Sequence, residues 1–353
     1  MVYEKRVKKL KDNVAEMGFD AILVNDEKNI YYLSGFPWGA KLLIPVEEES
    51  ILFVYSVNYE AARSLARNVI VELVEVGEKI ERKVLDAILK RRFKSIGFDK
   101  MDVAEYQRIK DSLGKVRFEL LGDIIWSLRK VKDEIELALI RRAAELTSCG
   151  MKRALEVIKP GMRVWEVAAE AEYEMRKMGS SGVAFDTIVC SGPETAYPHG
   201  GLGEREIKDG DLVVIDIGAR YHGYCADMTR TVIVGEGTWI QKHIHETVRR
   251  AQRIAINRIR AGVKAKDVDE AARKFIAENG YDKYFIHNLG HGVGLDIHEP
   301  PTLGPLSEDL LLAGNVVTVE PGIYIPGLGG ARMEDMILIE EEGIKKLTGI
   351  NGE

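Results

Sequence analysis

The chain repeats itself. The segment IKPGMRVWEVAAEAEYEMRKMG (158–179) aligns without a gap with IRAGVKAKDVDEAARKFIAENG (259–280): Gly161 matches Gly262, Val167 matches Val268 and Gly179 matches Gly280. Each copy follows a helical stretch and reads as a tight turn, a second helix and a glycine at the helix end. Further along, GDLVVIDIG (210–218) matches GNVVTVEPG (314–322), which puts Asp216 on Glu320. DMTRTVIV (227–234) then matches EDMILIE (334–340) if the second copy holds three extra residues, which puts Asp227 on Glu334. Four matched segments in one order point to a duplicated α+β unit, with two similar sheets facing a central site.

The acids in those segments sit where a strand least favours them. Val-Val-Ile-Asp-Ile is an apolar, β-branched run, and an unpaired buried carboxylate there costs several kcal/mol. Asp216 and Asp227 lie symmetrically about the turn at Tyr221-His222-Gly223. As a hairpin they become near-opposite neighbours on one face, with Cβ atoms about 5 Å apart. Glu320 and Glu334 add a second pair, and four converging carboxylates cannot all stay ionised in a dry site without cations. Two divalent metal ions neutralise four charges, and hard oxygen ligands suit them. The competing reading is a set of strand-end acids satisfied by salt bridges.

Imidazole completes the set. HNLGHGVGLDIHEPP (287–301) offers His287, His291 and His298 among glycines that allow close backbone approach. His291, between Gly290 and Gly292, is assigned as a fifth ligand, with His298 beside it as a donor. In SGPETAYPHGG (191–201), His199 takes the place pseudo-symmetric to His298. Two histidines then flank the metal pair and grip a carbonyl or its oxyanion. His222, His243 and His245 read as turn or surface residues, and HIHE lacks the HExxH spacing of zinc peptidases.

The ordered set is Asp216 in VVIDIGA, Asp227 in CADMTRT, His291 in GHGVGLDIHE, Glu320 in VEPGIYIPG and Glu334 in GGARMED. Over residues 130 to 345 it resembles the pita-bread metallopeptidases, in their prolidase (Xaa-Pro dipeptidase) and aminopeptidase P branch. DEKNIYYLSGF (26–36) is similar to the N-terminal domain of prolidases and creatinases. The resemblance implies two divalent ions per subunit, Mn2+ or Co2+ first and Fe2+ or Zn2+ next. It has Asp216 hold one ion in bidentate fashion, Asp227 and Glu334 bridge both, and His291 with Glu320 complete the other. It further implies that a bridging hydroxide attacks the carbonyl before proline, with Glu320 moving protons, His199 and His298 stabilising the oxyanion and Arg332 ordering the surroundings of Glu334. Phe185 and Ile297 match positions that line the proline pocket in relatives. The implied partners are small peptides with proline second and another copy of the chain, a homodimer with one N-terminal domain near the other subunit's site. Proline's imide has no N–H, so a site that polarises the carbonyl does not depend on that donor.

One departure bears on substrate length. Many prolidases place an arginine between the histidine loop and the VEPG strand, where it can hold a dipeptide's carboxylate. EPPTLGPLSEDLLLAGNVVTVE (299–320) has neither Arg nor Lys, and Thr302 stands in that place. The alternative to a dipeptidase is therefore an aminopeptidase P-like enzyme acting on longer peptides. A methionine aminopeptidase shares the ligands but usually lacks the N-terminal domain. A non-catalytic pita-bread binding protein usually loses ligands, whereas all five are present here.

Residues 1–128 alternate helix and strand signals: helices over 5–17 and 58–67, strands over 21–24, 51–55 and 95–98. This predicts an N-terminal α/β domain, followed by an α+β pita-bread catalytic domain over 129–353 with a pseudo-two-fold duplication. A long helix is expected from Leu128 to about Ile158. The formal net charge of -6 argues against nucleic-acid binding. No apolar run approaches membrane-spanning length, and MVYEKR leads straight into a charged amphipathic pattern with no signal-peptide stretch. Three scattered cysteines, Cys149, Cys190 and Cys225, fit a reducing cytoplasm. Glutamine occurs only at 107, 241 and 252 while charged residues abound, a thermophile's bias.

Overall fold

The computed structural model describes residues 2–200 and 203–350, and divides into two compact units, Met1–Arg129 and Lys130–Glu353. The first unit is built on a six-stranded mixed sheet. Its strands run in the order Val69–Val74, Ser50–Tyr55, Lys41–Pro45, Ala21–Val24, Ser95–Phe98, Arg117–Leu120. The central strands are buried on both faces, which is why AILV and SIGF read as continuous apolar runs and not as alternating ones. Helices including Val2–Glu16, Ile80–Arg91 and Val103–Leu113 turn apolar stripes inward. Asp26 starts the helix Glu27–Ser34 by accepting the N–H groups of Lys28 and Asn29.

In the second unit the repeat is visible bond by bond. Each half packs a helix pair on its own sheet. Glu134–Val157 and Val164–Lys177 cover the three-stranded sheet that includes Leu212–Ile217 and Met228–Ile233. Trp239–Arg258 and Ala265–Glu278 cover the five-stranded sheet that includes Val316–Val319 and Asp335–Ile339. The Gly161 N–H donates to the Ile207 carbonyl as that of Gly262 does to Leu311, and the two glycines share φ values of +89° and +84°. Only glycine adopts that left-handed conformation without strain. Gly210 donates to Val234 as Gly314 does to Ile339. Each half buries its own apolar cluster, where a fully buried Val or Ile contributes about 1.5–3 kcal/mol.

Three expectations are corrected. The helical stretch does not run unbroken from Leu128. One helix ends at Arg129 and the next starts at Glu134, because Asp133 and Glu136 form a reciprocal cap there. Asp216 and Asp227 are not opposite neighbours, since Asp216 pairs with Thr229 and Asp227 lies two residues before that partner, on the same face. Finally, Asp227 is not the repeat mate of Glu334. Ile215 pairs with Arg230 as Val319 pairs with Asp335, so Arg230 matches Asp335, Thr229 matches Glu334, and Asp227 matches Arg332. The strand after the turn has a different sequence in each half (Thr-Arg-Thr against Glu-Asp-Met), so cross-strand hydrogen bonds fix its register where residue similarity does not.

Candidate metal centre

Asp216 is the last but one residue of the strand Leu212–Ile217 and Asp227 directly precedes Met228–Ile233. Glu320 directly follows Val316–Val319 and Glu334 directly precedes Asp335–Ile339, so all four acids lie at strand ends where the two sheets meet. The sheets join there through Thr229, whose Oγ1 donates to Glu334 Oε2 at 2.7 Å while the Glu334 N–H donates to the Thr229 carbonyl.

The fifth residue, His291, lies in the short strand Gly290–Gly292, which carries a register shift. Its flanking glycines are needed for space. A Cβ at Gly290 would stand 2.1 Å from the Thr318 carbonyl oxygen, and one at Gly292 would stand 2.4 Å from that of Pro300. His291 Nδ1–H donates to the Gly292 carbonyl at 3.1 Å, which leaves Nε2 turned to the acids, 3.1 Å from Glu320 Oε1 and 3.7 Å from Asp227 Oδ2.

These five line one cavity of about 520 Å³. Phe185, His199, Ile297, His298, Thr302 and Arg332 line it as well, so every residue singled out for the site from sequence faces the same space. His199 and His298 are exposed, and the His298 ring meets that of His291 edge-on at 4.2 Å. The next residue, Glu299, is buried and pairs with Lys132 at 2.8 Å, which fastens the end of the His298 loop. His222, His243 and His245 stay outside the cavity: His222 lies in the turn at φ +46°, and the other two are on the helix Trp239–Arg258.

Charge is out of balance in this cavity. Arg332 is the only Lys or Arg among the described residues that line it. Its Nη2 donates to Asp216 Oδ2 at 2.6 Å, Nε to Thr229 Oγ1, and Nη1 to Tyr324 Oη and the Pro198 carbonyl. Burial, then the Glu334 and Asp216 charges, push the Asp227 carboxyl well above its ordinary range, and burial with the Glu320 and Asp216 charges does the same to Glu334. Burial also acts against ionised Glu320, but the hydrogen bond from His291 and the positive charges around it outweigh that and hold Glu320 down at about 2. Asp216 Oδ1 and Glu334 Oε1 are buried without a hydrogen-bond partner among the described residues. Asp227, His291 and Glu334 each offer a ligand atom, all within 4.8 Å of one another. Orphaned buried carboxylate oxygens, a surplus of acids and one oriented imidazole fit divalent cations.

Sequence reasoning missed Tyr324 and gave His287 no role. His287 Nδ1–H donates to the Asn288 carbonyl, so Tyr324 Oη donates to His287 Nε2 at 3.0 Å while receiving Arg332 Nη1 at 2.9 Å. Burial pushes the Tyr324 hydroxyl up to about 12 and holds His287 neutral. This chain keeps Arg332 aimed at Asp216. Only the aromatic in VEPGIYIPG hinted at it, and nothing local links residue 324 to residue 287.

A pH test follows from the raised acids. In metal-free protein, folded Asp227 and Glu334 hold protons that the unfolded chain has already released. The folded state then binds more protons, and stability falls as pH rises from the ordinary carboxylate range through the folded values. The urea midpoint of chelated protein is expected to drop from about pH 5 to about pH 8, and added Mn2+ to remove the drop. A flat profile in chelated protein would refute the protonated pair.

Comparison with known proteins agrees with this chemistry. Residues 138–341 match metallopeptidase family M24, and residues 6–131 match the creatinase/prolidase N-terminal domain. The chain is 39% identical over 347 residues to the Xaa-Pro dipeptidase of Pyrococcus furiosus, covering 98% of each. Among solved structures, an Xaa-Pro dipeptidase from Bacillus anthracis superposes with a TM-score of 0.94 at 35% identity, covering 99% of both chains. An X-Pro aminopeptidase from Thermotoga maritima superposes with a TM-score of 0.87 at 36% identity, covering 97% of this chain and 99% of that one.

Proposed function

The chain belongs to metallopeptidase family M24, and from that premise we propose that it hydrolyses the peptide bond preceding proline in Xaa-Pro dipeptides. The observation that carries this reading is the cavity itself, where four acids, three of them buried, meet one arginine and two histidines stand beside them. Residues 129–353 carry the chemistry and residues 1–128 form a separate domain. Asp216, Asp227, His291, Glu320 and Glu334 hold two divalent cations, Mn2+ or Co2+. When bound, the cations make water acidic enough to attack near neutral pH and polarise the scissile carbonyl.

The chain's own groups do the rest. Arg332 fixes Asp216 through Oδ2, leaving Oδ1 for a ligand. Glu320, engaged through Oε1 by His291 and Thr318, has Oε2 to accept the proton of the attacking water and return it to the departing proline nitrogen. His199 and His298 hold the carbonyl oxygen as charge develops on it. Phe185 and Ile297 give the proline ring an apolar wall. The three cysteines form no disulfide among the described residues, which suits a reducing cytoplasm, and the protein works as a homodimer.

A second reading rests on Thr302. It lines the cavity, and the one arginine there is committed to Asp216, so no free cation awaits a dipeptide's carboxylate among the described lining residues. That favours longer peptides, as for an X-Pro aminopeptidase. The test is hydrolysis of Met-Pro beside an Xaa-Pro tripeptide and pentapeptide, by chelated enzyme given Mn2+ or Co2+. Cleavage of the dipeptide alone supports the first reading, and equal or faster cleavage of the pentapeptide supports the second. No metal-dependent cleavage of any of them would refute both. His298→Ala is expected to lower turnover by about a hundredfold with metal content near normal, as measured by metal analysis beside kcat. Loss of both metals would make His298 a ligand instead.

A further inference from the structure

A second cavity, of about 820 Å³, lies in the same unit and shares no lining residue with the first. Successive strand residues face opposite sides of a sheet. Thr229 and Glu334 turn to the acid site, while Arg230 and Asp335 line the second cavity on the reverse. Arg230 links the two, since its Nη1 donates to the Glu334 carbonyl at 2.7 Å and to that of Thr229 at 2.9 Å. From the helix Trp239–Arg258 come His245, Arg249 and Arg253, spaced four residues apart and so on one helix face.

The charge here is opposite to that of the acid site. Four permanent cations, Arg230, Arg249, Arg253 and Lys346, line the cavity against one carboxylate, Asp335. Asp335 is already engaged by Arg230 at 3.0 Å, Lys346 at 2.8 Å and Gln252 at 3.0 Å. Arg249 pairs with Glu246 on its own helix, and Arg253 has no ion-pair partner among the described residues. A chain of net charge -6 thus concentrates cations in one concave place, whose low-dielectric walls focus the field on an anion. Guanidinium forks match phosphate oxygens two at a time, and Leu155, Ile256 and Met333 add apolar wall for an organic group.

We propose that this cavity is a second ligand site that binds a phosphate-bearing small molecule, held by Arg249, Arg253 and Lys346 and backed by Arg230. The assignment is independent of the chemistry at the four acids. Its volume and apolar wall favour an organic phosphate over the free ion.

The test is calorimetric titration of metal-loaded enzyme with phenyl phosphate, and separately with inorganic phosphate, on the parent and on the double variant Arg249→Gln/Arg253→Gln. Any phosphate on the catalytic cations is common to both proteins and cancels in the comparison. The parent is expected to bind phenyl phosphate about a hundredfold more tightly than the double variant, roughly tenfold for each charged pair lost. Hydrolysis of Met-Pro in phosphate-free buffer should stay unchanged, which reports that the variant is folded. Lys346→Gln, on a different element, should weaken binding by about tenfold. Equal loss with both anions assigns the site to free phosphate, and a larger loss with phenyl phosphate assigns it to organic phosphates. Equal binding by parent and double variant, with either anion, overturns the proposal.

Discussion

Asp227→Asn is expected to lower Met-Pro turnover by about a thousandfold or more, a few kcal/mol of lost stabilisation in the transition state. The metal content should fall below two ions per chain in the same variant. Asp227 is buried, offers its oxygens toward Glu334 and His291, and forms no ion pair with a Lys or Arg among the described residues. The amide keeps the shape and removes the charge, so packing stays nearly intact while one of four neutralising charges is lost. Glu334→Gln is the matching experiment across the sheet junction, where Thr229 still donates to Oε2. Metal analysis beside kcat decides the matter. A variant with full loading and full activity would remove Asp227 from the ligand set.

Arg332→Met gives the second large effect, and it depends on metal. Arg332 is 4% exposed and makes four sets of polar contacts, the shortest to Asp216. Removing one partner of a buried ion pair costs about 3–5 kcal/mol, because the other charge is left uncompensated. In chelated protein Asp216 forms no other ion pair among the described residues, so the full loss is expected in urea unfolding. With Mn2+ present the ions compensate Asp216, and the loss should shrink to that of the hydrogen bonds to Tyr324, Thr229 and the Pro198 carbonyl. An equal loss with and without Mn2+ would mean that Arg332 serves packing alone and does not balance the acids.

Much of this site is legible from the chain alone because its signals are local or periodic. A carboxylate inside Val-Val-Ile-Asp-Ile announces itself against the apolar run around it. The helix-turn repeat survives as matched glycines because both turns demand positive φ. The loop around His291 is marked by glycines that leave room for the Thr318 and Pro300 carbonyls. Those features were enough to name the five acid and imidazole groups that now line one cavity.

Tertiary structure alone decided how they face one another. Thr229, not Asp227, is the partner of Asp216 and the repeat mate of Glu334, because register is set by cross-strand hydrogen bonds that leave no mark on residue type. The chain from His287 through Tyr324 to Arg332 joins residues far apart in sequence, each ordinary in its own neighbourhood. The cation-lined cavity likewise draws Arg230, Arg249 and Lys346 from two strands and a helix. Composition and spacing therefore determined which residues carry the charge and that cations must answer it. Only packing decided which charges meet, since electrostatic energy depends on distances of a few ångströms that the order of residues along the chain does not contain.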